Sequence, residues 1–385
     1  MRGVERNARI GHLRARLRLA QHRQRGARLV HGCLTSRPGG HLISANTPDM
    51  PPDAPDFSRL LDTRRTSTDG VGSPAVRRAA NEGRLTRLRR SIYRDPLVPL
   101  EELAPDERRH EGRARFLEEA IAVGLTRGGP VVFAGETAQQ IHAIPALGEL
   151  PGHVELLEAV GSTRRNAFGI TVHTDGFRPE DIEPWGEFFV TSPARTVADL
   201  AKWQSRAKAV AALDFVLNSD RAAPGQRVTK QEVEAALDAS VAVRNRRTAE
   251  SVIAFGVDVA GSVGESLSRV LMDEFGFPTP RLQTRHAAPP GLGRWFYTDF
   301  EWPELHLVGE FDGFVKFSNE RFLNGRTPAQ VLFDEKRRED ALRASGLRVV
   351  RWTWDCLTAP LRLRELLVAQ GLRPTRARRS ISRGW

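Results

Sequence analysis

Polar and apolar positions change period repeatedly between residues 264 and 354. Over 264–275, Leu267, Val270, Leu271 and Phe275 recur at helical intervals, with Ser262 placed as an N-cap. Pro278 and Pro280 end that helix. Residues 282–286 and 294–300 read as two strands around a Pro-Pro-Gly-Leu-Gly turn, and the Glu301-Trp302-Pro303-Glu304 corner leads into a third strand over 306–313. A charged helix over about 329–344, stopped by Gly346, precedes a strand over 347–352 and a closing helix over 359–369. The order is therefore helix, strand, strand, strand, helix, strand.

Upstream, 107–250 reads as a mixed α/β domain. It has an amphipathic helix over 113–125, strands over 131–134 and 168–173, and helices over 194–203, 206–218 and 229–238. Residues 239–262 read as a connecting helix and hinge. Nearer the start, Phe57-Ser58-Arg59-Leu60-Leu61 suggests a short helix, and a second opens on Ser73 with Pro74 at its first position and stops at Glu82-Gly83. Residues 84–94 then alternate apolar and basic positions as a hairpin would. A helix followed by a basic ribbon, here within 50–98, is the pattern of a winged helix-turn-helix. The alternative is a small helical cap with a solvated basic face.

Charge sharpens this picture. The 58 basic and 47 acidic residues give a net charge of +11. Residues 1–49, however, hold ten arginines against Glu5 and Asp49, and 371–385 hold five arginines and no acid. The body is close to neutral, so an argument for nucleic acid rests on local patches. One such patch lies between Arg77 and Arg94, with seven arginines against Glu82. Within it, Arg77 and Arg78 are candidates for base contacts, and Arg84, Arg87, Arg89 and Arg90 for phosphate contacts. The leader 1–49 reads as an unstructured segment, a start site placed too early with Met50 as the true one, or an Arg-rich transit peptide. Two cysteines, Cys33 and Cys356, exclude a disulfide framework, and no apolar run approaches a membrane span. A cytoplasmic protein without membrane association is the expectation.

The third strand carries the candidate chemistry. Residues two apart share a strand face, so Glu310 and Asp312 point one way and Leu307 and Phe311 the other. Two carboxylates on one face repel each other, and a divalent cation would relieve them. Asp299 lies at the end of the preceding strand, and Glu265 opens the first helix. Two features of the middle region are read as structural: His142 as a packed core histidine, and Arg195 with Asp199 as a helix pair four residues apart.

The segment "AVRRAANEGRLTRLRRSIY", residues 75–93, resembles the winged-helix segment of AbiEi-like antitoxins of type IV toxin–antitoxin systems. Residues 130–142 and 190–200 continue that resemblance, which implies a DNA-binding regulator with a toxin as partner. Residues 264–354, with "YTDFEWPE" and Glu310-Phe311-Asp312-Gly313, resemble a family related to the very-short-patch-repair endonucleases, a branch of the PD-(D/E)XK fold. That resemblance implies an α/β multidomain protein whose 262–370 region has a restriction-endonuclease fold. Asp299, Glu310 and Glu265 would then be ligands for Mg²⁺ or Mn²⁺. Where the motif has a lysine this chain has Asp312, which leaves Lys316 and Lys336 as candidates for the missing positive charge. Three readings stay open: a metal-dependent DNase fused to a DNA-binding module, a catalytically retired regulator or antitoxin, and an acidic surface that only binds partners.

Overall fold

The computed structural model describes residues 60–64, 73–164, 166–242, 244–288, 295–313 and 327–377. The leader 1–49, Phe57–Arg59, Lys316 and the end of the basic tail lie outside them. The chain divides into two compact units: residues 1–144, 149–202 and 231–246 in the first, and 145–148, 203–230 and 247–385 in the second.

The first unit begins with a small antiparallel sheet, β1 (Leu61–Asp62), β2 (Thr86–Arg89) and β3 (Ile92–Arg94), in the order β1-β3-β2. Helix α1 (Ser73–Asn81) lies between β1 and β2 in sequence. Leu61 was expected in a helix; instead it pairs with Tyr93. Its hydrogen-bonding partner is about thirty residues away, beyond any local window. The hairpin turns at Ser91, in the left-handed region at φ 66°, with a register shift between Arg87 and Arg89. Helix α2 (Pro105–Arg127) is longer than its apolar pattern indicated, because Pro105 favours its first turn and Gly128, at φ 68°, ends it.

Phe116, Leu117, Ala120 and Ile121 of α2 pack with Phe133, Val154, Leu156, Trp185, Phe188 and Val190 from a five-stranded mixed sheet. Its strands are β4 (Val132–Phe133), β5 (Val154–Glu158), β6 (Ile170–Thr174), β7 (Ile182–Trp185) and β8 (Phe188–Thr191), ordered β6-β5-β4-β8-β7. Strands β5, β7 and β8 escaped the sequence reading. Val154-Glu155-Leu156-Leu157 is buried on both faces and shows no alternation to detect. Helices α3 (Gly135–Ile141) and α4 (Pro193–Trp203) complete the framework, with Lys230–Asp238 beyond them.

In the second unit, α5 (Arg206–Leu217) packs along α6 (Val263–Glu274). The Asp214 carboxylate, fully buried on α5, accepts from Ser266 Oγ and Arg269 Nη1 of α6, both at 2.7 Å. That attachment corrects the expected domain boundary: residues 203–230 belong with the C-terminal unit, not with a 107–250 domain. The unit's sheet has strands β9 (Arg281–Ala287), β10 (Trp295–Trp302), β11 (Leu307–Phe311) and β12 (Arg348–Trp352), ordered β12-β11-β10-β9. Strand β12 runs parallel to β11 and is reached through α7 (Pro328–Ala344), while the other pairs are antiparallel. Helix α6 lies close on β11: a Cβ at Gly264 would sit 2.0 Å from the Phe311 ring. Trp352, buried against Phe300, donates its indole N–H to Ser268 Oγ at 2.9 Å. Burial of such a ring is worth about 1.5–3 kcal/mol. The order of elements in this unit is the one read from the sequence. Among the described residues, no helix is long and apolar enough to cross a membrane.

Candidate functional site

Parallel pairing of β11 with β12 sets Glu310 opposite Arg351. The Arg351 guanidinium lies 2.9 Å from the Glu310 carboxylate and 3.3 Å from Asp312. Glu310 and Asp312 thus meet one partner, as their shared strand face implied. Helix α7 contributes Glu335, Arg338 and Glu339 from positions three and four apart, one face of the helix. Glu335 accepts from Arg351 at 2.6 Å and from Arg338 at 3.0 Å, Glu339 lies 3.6 Å from Arg351, and Arg338 reaches Glu310 at 3.8 Å.

Glu310 is buried, and burial pushes its pKa up to about 7. Arg351 opposes that rise and Glu335 adds to it; Arg338 lowers it and Asp299 raises it by smaller amounts. For Arg351, burial alone would favour deprotonation, but the carboxylates of Glu310, Glu335 and Asp312 raise its pKa and hold it charged.

Asp299 is fixed from two sides. Its Oδ2 accepts the backbone N–H of Phe311 at 2.9 Å, and its Oδ1 accepts from Gln283 Nε2 at 3.3 Å. The same Nε2 donates to Glu265 Oε2 at 3.0 Å, which also accepts from the Gly261 backbone at 2.7 Å. Gln283 faces Asp299 on the β9–β10 ladder, between the pairs Thr284–Thr298 and Leu282–Phe300, and has φ 47°. A left-handed glutamine inside a strand is held there by its surroundings. It joins the helix acid to the strand acid.

The structure therefore links Glu265 to Asp299 through Gln283, and sets Asp299 close enough to Glu310 to raise its pKa. Lys336 is not part of the group. It is exposed on α7, and among the described residues the cations that meet Glu310 are Arg338 and Arg351. A helix places Lys336 about 100° from the neighbouring Glu335 that meets Arg351. Lys316 lies outside the described residues. Sequence reasoning passed over Gln283, for which no pattern existed.

The donors Glu265, Asp299 and Glu310 are all oxygen donors, the chemistry that suits Mg²⁺ or Mn²⁺. Burial chiefly raises Glu310, and the lesser repulsion from Glu335 and Asp299 is of the kind a divalent cation relieves. Among the described residues, no three Asp, Glu, His or Cys side chains are gathered as a ready cage.

In the first unit, α1 exposes Arg77 and Arg78, and the hairpin exposes Arg87 and Arg90. Arg84 is exposed and bonded to Glu82. Arg89, expected to contact phosphate, is half-buried and has partners within the protein. It bonds Glu119 of α2 at 2.9 and 3.1 Å and the Phe168 carbonyl at 3.0 Å, which pins the ribbon to the helix. Its side chain faces Glu119 because the register shift falls beside it.

His142 is a core histidine, as expected: its Nε2 lies 2.6 Å from the Thr191 carbonyl oxygen, and burial lowers its pKa. Arg195 and Asp199 form the expected pair at 2.8 Å, within a sealed network that also includes Asp175, Asp181 and Lys202.

Two uncharacterized proteins, from two strains of Mycobacterium tuberculosis, are similar to this chain. Each is 29% identical over 223 residues, which is 58% of this chain and 74% of the relative. No family model matches the chain.

Proposed function

We propose that this chain is a DNA-binding protein whose second unit is a Mg²⁺- or Mn²⁺-dependent endonuclease of the PD-(D/E)XK kind, hydrolysing DNA phosphodiesters. The observation that carries this reading is the placement of Arg351 against both Glu310 and Asp312. It puts a permanent positive charge beside the strand motif that lacks its lysine.

Asp299, Glu310 and Glu265 would hold the cation. Once bound, it would lower the pKa of a water and stabilise charge on the scissile phosphate. The remaining roles fall to the chain itself. A guanidinium does not deprotonate in proteins, so Arg351 stabilises phosphate charge and moves no proton. Glu335 and Glu339 hold it in orientation. Without the cation, burial pushes the Glu310 pKa up to about 7, and holding the cation would require its ionised form, which the cation's charge would favour. The sheet order β1-β3-β2 with α1 between β1 and β2 supports a winged-helix reading of the first unit. There Arg77 and Arg78 would meet bases, and Arg87 and Arg90 phosphates.

The test is nicking of supercoiled plasmid by the full chain in Mg²⁺, Mn²⁺ or EDTA, beside Glu310→Gln and Asp299→Asn. Nicking that needs the metal and is lost in both variants is the expected result. A second reading, a regulator or antitoxin of AbiEi type with a retired nuclease fold, is favoured by one fact. Arg351 already neutralises Glu310 and Asp312, and Gln283 already occupies the oxygens of Glu265 and Asp299. A wild type that shifts DNA on a gel yet never nicks it selects that reading.

A further inference from the structure

Gln283 sits between two carboxylates that belong to different elements, Glu265 at the start of α6 and Asp299 on β10. Its single amide nitrogen carries two hydrogens, enough to satisfy one oxygen of each. An amide is two-sided: a half-turn about its last side-chain bond exchanges the donor Nε2 for the acceptor Oε1. The backbone at Gln283 is left-handed, and this conformation places the amide at the Glu265–Asp299 gap.

From this geometry we infer that Gln283 is a positioning residue that reverses its amide when a divalent cation binds. The inference rests on the metal-site reading of Glu265 and Asp299 given above. Without the cation, Nε2 faces the acids and holds them together as two hydrogen-bond acceptors. With the cation, that nitrogen would oppose a positive charge, so the amide turns and presents Oε1. The reversed amide then adds a neutral oxygen of the kind hard cations accept. The same side chain thus keeps the acids aligned in both states. A hydrophobic residue could do neither, and a glutamate could do only the second.

The experiment is Mn²⁺ binding to the full chain by calorimetry, for wild type, Gln283→Leu and Gln283→Glu. Urea unfolding of each is measured with and without Mn²⁺. Gln283→Leu is expected to bind Mn²⁺ about tenfold more weakly, the usual scale for losing a group that orients ligands. Gln283→Glu is expected to bind about tenfold more tightly, since ligand charge sets cation affinity. Without Mn²⁺ it is the less stable protein, and Mn²⁺ restores it. In wild type labelled with ¹⁵N at glutamine side chains, Mg²⁺ should shift the Gln283 amide signal away from its hydrogen-bonded position.

If wild type binds Mn²⁺ and both variants bind it equally well, Gln283 is a structural clamp and the inference is overturned while the metal site stands. An amide signal unmoved at saturating Mg²⁺ overturns it too. If wild type binds no Mn²⁺, the metal-site reading itself is wrong and the inference falls with it.

Discussion

Each unit of this protein buries a network of acids around an arginine, and the two networks differ in how they are closed. In the first unit, Arg195 and Asp199 are wholly inaccessible, and Lys202 bonds the buried Asp175 and Ser240. Gly176 adds its carbonyl to Arg195 at 2.6 Å. In the second unit, Arg351 keeps 26% of its side chain exposed and Asp312 31%, above a Glu310 that is nearly covered. The first network joins segments distant in sequence and is sealed against any ligand. The second has one buried acid, several partly open partners, and like charges left in proximity. Buried pairing alone therefore says little about function; crowding of like charge under an open rim says more.

The largest test of this contrast is Arg195→Met. It leaves Asp199 and its acidic neighbours buried without their cation, and a broken buried pair costs about 3–5 kcal/mol. The first unit should unfold at clearly lower urea. Arg351→Gln should cost less, about 1–3 kcal/mol, because its partners can reach water. If the second unit nicks DNA as proposed, the substitution should nevertheless abolish nicking at urea concentrations where the unit is still folded. Equal stability losses for the two variants would remove the distinction between a sealed network and an open one.

A smaller effect, with a definite sign, comes from pH. The Glu310 pKa rises from an ordinary 4.5 to about 7 on folding. The folded state therefore binds more protons than the unfolded state between these values. The resulting stabilisation is full below about 4.5, declines as pH rises, and is gone above about 7. Asp199 behaves likewise in the first unit, from 3.8 to about 6. Asp175, lowered to about 2 chiefly by Lys202 and Ser240 against the effect of burial, acts oppositely and matters only in acid. Between pH 6 and 8 Glu310 titrates in the second unit, while Asp199, in the first, completes its titration just above 6. Urea midpoints of the second unit should fall over that range by an amount worth about 1 kcal/mol, and Glu310→Gln should flatten the fall. A slope unchanged by that substitution would place the titrating group elsewhere.

How much of this was visible in the sequence depends on the range of the interaction concerned. The helix 263–274, its Ser262 cap and the strands carrying Asp299 and Glu310 follow from local periodicity, and the structure has them nearly where expected. Arg351 and Glu310 are 41 residues apart, and only the parallel register of β11 and β12 makes them neighbours. Gln283 carries no pattern at all, since a strand glutamine looks like any polar position until the opposing Asp299 is known. The same limit explains Leu61, whose strand partner lies on β3, and α5, whose place is set by Asp214 meeting α6. What local pattern supplied was the elements and the acids; which cation faces them was decided by contacts between distant segments.

The smallest expected effects lie in the hairpin of the first unit, and they carry the comparison inside a single ribbon. Arg87 and Arg90 are exposed there, whereas Arg89 is spent on Glu119 and the Phe168 carbonyl. If the ribbon meets DNA, Arg87→Ala and Arg90→Ala should each lower the slope of log affinity against log salt by about 1, with stability unchanged within about 0.5 kcal/mol. Arg89→Ala should do the reverse: stability falls by about 1 kcal/mol as the ribbon loses its tie to α2, and the salt slope stays the same. Fluorescence anisotropy at several salt concentrations, paired with urea unfolding, separates the two. A salt slope that falls for Arg89→Ala as much as for Arg87→Ala would mean that Arg89 exchanges Glu119 for a phosphate on binding. The ribbon would then leave α2 when DNA arrives, and the ion pair to Glu119 would be a feature of the unbound state only.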